Sequence, residues 1–409
     1  MRLFLCLLSC SLFFTFCSKE VIQDKLSTPN EKGKLDESIS KSLSEGAFRL
    51  FDYTNKNSDA GDNVIISPLS MQFAIGMADN GAKGNTLAQL MDINLQDAAE
   101  LPSLNDHFAF LYHALTKNQN GVKVSLSNGV FFDKQKVNIY DSYPAILQQY
   151  FAPDIESLNF KDVPATLNTI NGWVKNATNS KIEKVLDDIS DDEFMFLINA
   201  LYMKADWDHP FAPELTHKAD FKTSTGAVVS ADFMNQRLDA NFLTNESMDV
   251  VSLPLGKGQL SAVFIMPKKK DISSFISQDF NESLFDKIAT TARTSDMIVT
   301  LPKVKMTQKF DLKAILQSMG VIEPFTAQAD FSGIAGRPGD VYLTRALHDV
   351  FLQIDEKGIE GAAVTTIGVG VTSMPPSLTF NQPYVFAIRD NATGTNLFLG
   401  KIVDPTKNQ

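Results

Sequence analysis

Apolar positions alternate between two periods along this chain. From Ser40 to Thr54, Leu43, Ala47, Phe48, Leu50 and Phe51 recur at helical spacing. Ser67-Pro68 reads as a helix start, a small capping residue followed by proline in the first turn. The helix it opens carries Met71, Phe73, Ala74, Ile75 and Met77 and is expected to be buried. Strand patterns run from Val122 to Phe132, Phe194 to Lys204, Val250 to Leu255, Leu260 to Met266, Met297 to Lys305 and Val341 to Leu343. The last two run from Leu378 to Ile388 and from Asn396 to Val403. Helices mixed with strands that do not simply alternate predict an α+β fold in layers.

One segment departs from this pattern. After the charged stretch Glu356-Lys357-Gly358-Ile359-Glu360 come Gly361, Ala362, Ala363, Val364 and further small or β-branched residues to Thr372, with no charge until Arg389. In an extended strand residues 359, 361, 363, 365, 367 and 369 share one face, and the opposite face is small after Glu360. Such a segment can slide between two strands and be covered. Its glycines weaken it as a permanent strand, and Pro375-Pro376 ends it.

The segment resembles the reactive-centre loop of serpins, the serine-protease inhibitor family. Glu356 to Ala363 matches the family's EKGTEAAA-like hinge, and Phe380-Asn381-Gln382-Pro383-Tyr384-Val385-Phe386 matches the motif that follows the loop. Four more matches lie in family order. They are Asn63 to Ser70 for the start of the buried second helix, Asn199 to Trp207 for N-A-x-Y-F-K-x-x-W, Asp330 to Ile334 for D-F-S-G-[IM], and Leu397 to Pro405 for the final strand. The resemblance spans residues 40 to 406. It implies about nine helices packed on three β-sheets, with an exposed loop, residues 356–376, that can insert into the central sheet.

The chain has 409 residues, 44% of them hydrophobic, enough for a sizeable core, and no internal repeat or later linker divides it. We therefore read residues 39–406 as one domain. A formal charge of −11 argues against nucleic-acid or general anionic-membrane binding. Lys268-Lys269-Lys270 reads as a solvated turn after a strand. All three cysteines, Cys6, Cys10 and Cys17, precede the domain, which excludes disulfides and thiolate chemistry within it. Met1-Arg2, the apolar run Leu3 to Phe16 and Cys17 form an export signal too short to span a bilayer. Cys17-Ser18-Lys19-Glu20 looks like a bacterial lipoprotein cleavage site, with Cys17 as the lipidated residue. Ordinary secretion with cleavage nearby is the alternative, since Phe14-Thr15-Phe16 departs from the usual pattern. Residues 18–38 are polar and read as a tether between the signal, 1–17, and the domain.

No nucleophile elbow, zinc-protease motif, phosphate loop or dinucleotide fingerprint is present, and the five histidines have no metal-like spacing. The reading is an inhibitor rather than an enzyme, without cofactor or metal, acting as a monomer. By resemblance His348 joins Ser67, Ser70 and Asn199 in a polar group beneath the parting strands, where buried side chains supply hydrogen-bond partners. The resemblance also pairs Glu356 with Lys303 at the top of the sheet, as a surface pair contributing little.

The implied mechanism is suicide inhibition. A protease attacks the loop and forms an acyl-enzyme. The cut loop then enters the central sheet before water releases it, and about 15 residues carry the protease roughly 50 Å at 3.3 Å per residue. Counting from the hinge and from Phe380-Asn381 places the reactive bond between Thr372 and Ser373. Thr372, with Val371 and Val369 as secondary positions, suits the small pocket of an elastase-like serine protease. A papain-like cysteine protease is the second class of target. Ile359 replaces the family's usual Thr, Ser or Val, and Gly361 replaces Ala. From Gly361 to Thr372 the loop lacks the charge or proline common in non-inhibitory relatives. The alternative is a binding or carrier serpin whose loop is cut without trapping.

Overall fold

The computed structural model describes residues 36–360 and 375–407. Cys17, Gly361, Ala362, Ala363, Val369, Val371, Thr372 and Ser373 lie outside the described residues. Nine α-helices occur among the described residues: α1 Glu37–Lys56, α2 Pro68–Asp79, α3 Gly84–Asp92, α4 Leu101–Leu115, α5 Ser142–Tyr150, α6 Val163–Ala177, α7 Ile272–Gln278, α8 Glu282–Thr291 and α9 Leu312–Ser318. The strands are β1 Val64–Ile66, β2 Val122–Phe132, β3 Asp154–Ser157, β4 Met195–Asp206, β5 His217–Lys222, β6 Val228–Thr244, β7 Met248–Leu255 and β8 Leu260–Pro267. They continue with β9 Arg293–Pro302, β10 Val304–Asp311, β11 Leu347–Asp355, β12 Gly358–Ile359, β13 Ser377–Thr379, β14 Tyr384–Asp390 and β15 Asn396–Ile402.

Helix α1 begins at Glu37, inside the stretch expected to be tether, because the Asp36 carboxylate caps it by accepting from Ser38 N (2.9 Å) and Ile39 N (3.3 Å). Helix α2 starts where expected: Ser67 caps it through Ser70 N and Pro68 occupies the first turn. It is buried on nearly every side and packs on both β4 and β15, so it forms the spine between the two sheets. Phe73 of α2 meets Phe108 and Phe151 edge-on, with ring centroids 4.8 and 6.0 Å away.

One sheet has nine strands, with β5 added beside β6 and the path β1-β15-β14-β8-β7-β6-β9-β13. The 17-residue β6 pairs with β5 over residues 228–233 and with β7 over residues 241–244, while β9 pairs with it over residues 233–242. Two of the three expected sheets are thereby joined into one hydrogen-bonded network. The strand expected over Met297 to Lys305 is two strands, β9 and β10, which break at Lys303 as the chain crosses between sheets. The Leu378 to Ile388 pattern likewise divides into β13 and β14 on either side of residues 380–383.

The second sheet has the order β10-β11-β12-β4-β2-β3. Among the described residues only Gly358 and Ile359 stand between β11 and β4. Below them no register joins β4 to β11 among the described residues, and the sheet is parted. A cavity of 120 Å³ occupies the gap, lined by Met71 and Ile75 of α2 on one side and by Val174 and Leu186 on the other. Residues Val341 to Leu343, expected as a strand, border this cavity without forming one. On the gap side they have no neighbouring strand among the described residues to complete a ladder.

Candidate functional site

The site is built where the loop's proximal end meets the parted sheet. Ile359 is opposite Ile354 of β11 and Ala205 of β4, and Gly358 is opposite Asp355 and Asp206. Ile359 is 2% exposed, so the residue that departs from the family's usual hinge is already seated in the core. Burying such a side chain contributes about 1.5–3 kcal/mol. Gly358 has φ 143°, and a Cβ there would stand 2.1 Å from the Ala205 carbonyl oxygen. Only glycine fits. The preceding residues are tied down by Trp207, whose indole donates to Asp355 O (2.8 Å) and whose amide donates to Lys357 O (3.0 Å). Phe211 N donates to Glu356 O at 2.8 Å.

Glu356 pairs with Lys303 as the resemblance implies, at 2.9 Å, but not as a surface pair. Glu356 is buried and Thr216 Oγ1 donates to it at 2.8 Å. Burial opposes ionisation, yet the bonds from Lys303 and Thr216 outweigh it and hold the carboxyl below its ordinary range. Breaking such a pair leaves a buried charge, so its loss costs more than a surface pair's. Glu360 follows with φ 53°, turning the chain out of the sheet, and its carboxylate lies 2.8 Å from Lys181.

Deeper in the gap, His348 and Ser67 are brought together: Ser67 N donates to His348 Nε2 at 3.0 Å. The ring is fully buried and stacks on Phe310 at 6.4 Å. Burial lowers its pKa to about 4, so it is neutral at pH 7. Ser70 Oγ donates to Asn199 O across 3.5 Å, and Ser70 N donates to Ser67 Oγ at 3.3 Å. The four expected residues therefore form two linked pairs. The fifth member, Asn128, was missed by the sequence reading. Its Oδ1 accepts from Asn199 Nδ2 (2.7 Å) and its Nδ2 donates to Phe151 O (2.6 Å). A legible signal existed, because Asn128 falls in phase with Val122, Val124, Leu126 and Val130 on the buried face of β2. Asn199 Oδ1 is buried without a hydrogen-bond partner among the described residues.

The Lys268-Lys269-Lys270 cluster is neutralised by Asp249, Glu246 and Asp279, as a solvated turn requires. Among the described residues no group of three or more metal-ligating side chains converges, and no helix is long and apolar enough to cross a membrane.

The site is thus a parted sheet with the first residues of a following loop seated between two of its strands. The family model for serpins, described as serine protease inhibitors, matches residues 41–405, and the chain belongs to the serpin family. It is similar to alpha-1-antiproteinase 2 of Equus caballus, with 30% identity covering 94% of this chain and 92% of that protein. Alpha-1-antiproteinase of Mus saxicola is 28% identical, covering 95% of this chain and 94% of that protein. Among solved structures the native thermophilic serpin tengpin superposes with TM-score 0.81 at 27% identity, covering 91% of this chain and 95% of tengpin. Thyroxine-binding globulin shares the fold, with TM-score 0.82 at 24% identity, covering 90% of this chain and 100% of that one.

The site yields two predictions. Because His348 is held at about 4 when folded against an ordinary 6.5, the unfolded chain binds its proton first as pH falls. Its share of stability is intact above pH 6.5 and is lost progressively toward pH 4, amounting to about 3 kcal/mol. Urea titrations across that range should show a smaller acid loss in His348→Gln than in wild type. Gly358→Ala should drive the hinge out of the sheet, and Trp207 emission in a Trp173→Phe background should shift toward that of an exposed indole; an unshifted spectrum would show that the hinge tolerates a Cβ.

Proposed function

We propose that this protein is a suicide-type inhibitor of serine endopeptidases, most directly elastase-like ones, which traps the acyl-enzyme by drawing the cut loop into the gap between β4 and β11. The observation that carries this reading is β12, a strand already begun in the gap with Ile359 buried on its core face. The register it sets defines the rest of the path. Six residues beyond Ile359, Thr365 would stand beside His348, six before Ile354, and Asn199, six before Ala205. Its hydroxyl then has the unpartnered Asn199 Oδ1 to bond. Continued on the same register, Val371 and Thr372 would stand beside Tyr342 and Val341, which belong to no strand among the described residues.

The reactive bond is Thr372–Ser373, with Val369 and Val371 as secondary determinants and Gly361, Ala362 and Ala363 as the small residues that let the hinge enter quickly. Residues 1–17 export the chain, Cys17 carries a lipid, and residues following it tether the domain at a membrane surface. Secretion without the lipid is the alternative. The inhibitor acts as a monomer and needs no cofactor.

The test is to mix the full chain with a pancreatic-type elastase, run a denaturing gel and weigh the released C-terminal peptide. A denaturant-resistant complex and a peptide beginning at Ser373 are expected. Ile359→Arg should abolish the complex while leaving cleavage, and Thr372→Arg should move the preference toward trypsin. Clean cleavage of the wild type without a complex would favour the carrier reading instead. For the anchor, Cys17→Ser should end palmitate labelling and free the protein from membranes; continued labelling would refute lipidation at that residue.

A further inference from the structure

Glu360 is the last described residue before the loop, and its surroundings are unusually specific. Its backbone is left-handed, its amide reaches Gln353 O at only 3.4 Å, and one carboxylate oxygen meets Lys181 at 2.8 Å. The other oxygen is buried and takes no hydrogen bond of good geometry among the described residues, though the Tyr202 hydroxyl of β4 faces the carboxylate. The Lys181 ammonium also lies 5.2 Å above the Phe351 ring, so it bridges β11 and the hinge. Lys181 is held in place by a tight turn after α6, in which Asn179 and Ser180 have φ of 51° and 61° and Thr178 Oγ1 accepts from Ile182 N at 3.1 Å. Asn179 Nδ2 donates to the Tyr202 hydroxyl at 3.3 Å, securing this turn to β4. Left-handed backbone at a non-glycine residue and an unpaired buried oxygen both carry a cost.

A second cation waits one register step further on. If Glu360 became extended, it would stand opposite Gln353 on β11 and Lys204 on β4, continuing the pairs Ile354–Ile359 and Ile359–Ala205. Lys204 is directly opposite Lys123 of β2, a like-charge pair. Lys204 has no ion pair among the described residues. Residues 360, 204 and 353 share the face of the sheet turned away from the Ile359 side, so the carboxylate would meet that ammonium without entering the core.

We propose that Lys181 and Lys204 are positioning residues for loop insertion that pass the Glu360 carboxylate from one to the other. Lys181 holds the hinge at the two-residue stage seen in β12. Lys204 receives the carboxylate as Glu360 straightens into the strand, which also relieves the Lys123–Lys204 repulsion. The charged hinge residue thus delays insertion at first and favours it afterwards. This rests on the loop-insertion reading above.

The test uses the full chain and a metalloprotease that cuts before Ile367, Val369 or Val371, since such an enzyme forms no acyl-enzyme to trap. After cleavage with excess protease, Trp207 fluorescence follows insertion in a Trp173→Phe background, and heat resistance of the product confirms it. Lys181→Met should insert about fivefold faster than wild type and Lys204→Met about fivefold slower, as expected for partly buried ion pairs. In a Glu360→Gln background both effects should vanish, which a purely structural role of either lysine would not produce. A wild-type chain that gains no heat resistance on cleavage overturns the insertion reading itself. An inserting wild type matched in rate by both lysine variants, or variants whose effects persist with Glu360→Gln, overturns the hand-over alone.

Discussion

Backbone hydrogen bonding across the gap between β4 and β11 is the constraint on which the rest of the molecule depends. Among the described residues two neighbouring strands of one sheet are joined only through Gly358 and Ile359, so each presents an edge that a sheet would ordinarily complete. Holding those edges apart requires rigid supports on both sides. Helix α2 supplies one, anchored at Ser67 and Pro68 and packed against β4 on one side and β15 on the other. Helix α6 and the turn carrying Lys181 supply the other.

The polar groups inside this apolar surrounding follow from the same constraint. His348, neutral because it is buried, accepts from the Ser67 amide at the first turn of α2 and ties the helix to β11. Ser70 ties the same helix to Asn199 of β4, and Asn199 in turn bonds Asn128 of β2. The bonds at Ser67 and Ser70 hold β11 and β4 to the helix and leave those two strands free of one another. At the top of the gap Glu356, Lys303 and Thr216 lock the chain just before the hinge, and Gly358 admits it because no side chain obstructs the Ala205 carbonyl. The chain from Glu356 to Ile359 is therefore fixed in place and register.

Much of this was legible in sequence wherever the signal was local. Capping chemistry at Ser67-Pro68 and the long β2 pattern each depend on neighbours in the chain. What was not legible depended on how elements cover one another. Glu356 read as a surface residue because nothing in its neighbourhood along the chain announces Thr216 or Phe211 above it. Val341 to Leu343 carry strand residues but border an open gap, so propensity had no partner to act on. The break at Lys303 was not legible because apolar positions continue across it, filling the buried end of β9 and then alternating with exposed residues in β10. Lys181 gave no signal at all: its meaning comes from a turn after α6 that reaches a residue far along the chain.

Amide hydrogen exchange along the two edges of the gap is the most direct test of the central claim. Peptides from Met195–Asp206 and Leu347–Asp355 would be compared in the intact chain and in the chain cut within the loop. The account predicts rapid exchange of gap-facing amides before the cut and strong protection afterwards, as a new strand completes both ladders. Equal exchange in the two forms would contradict it, since a gap that stays open after cleavage is not a site for the loop.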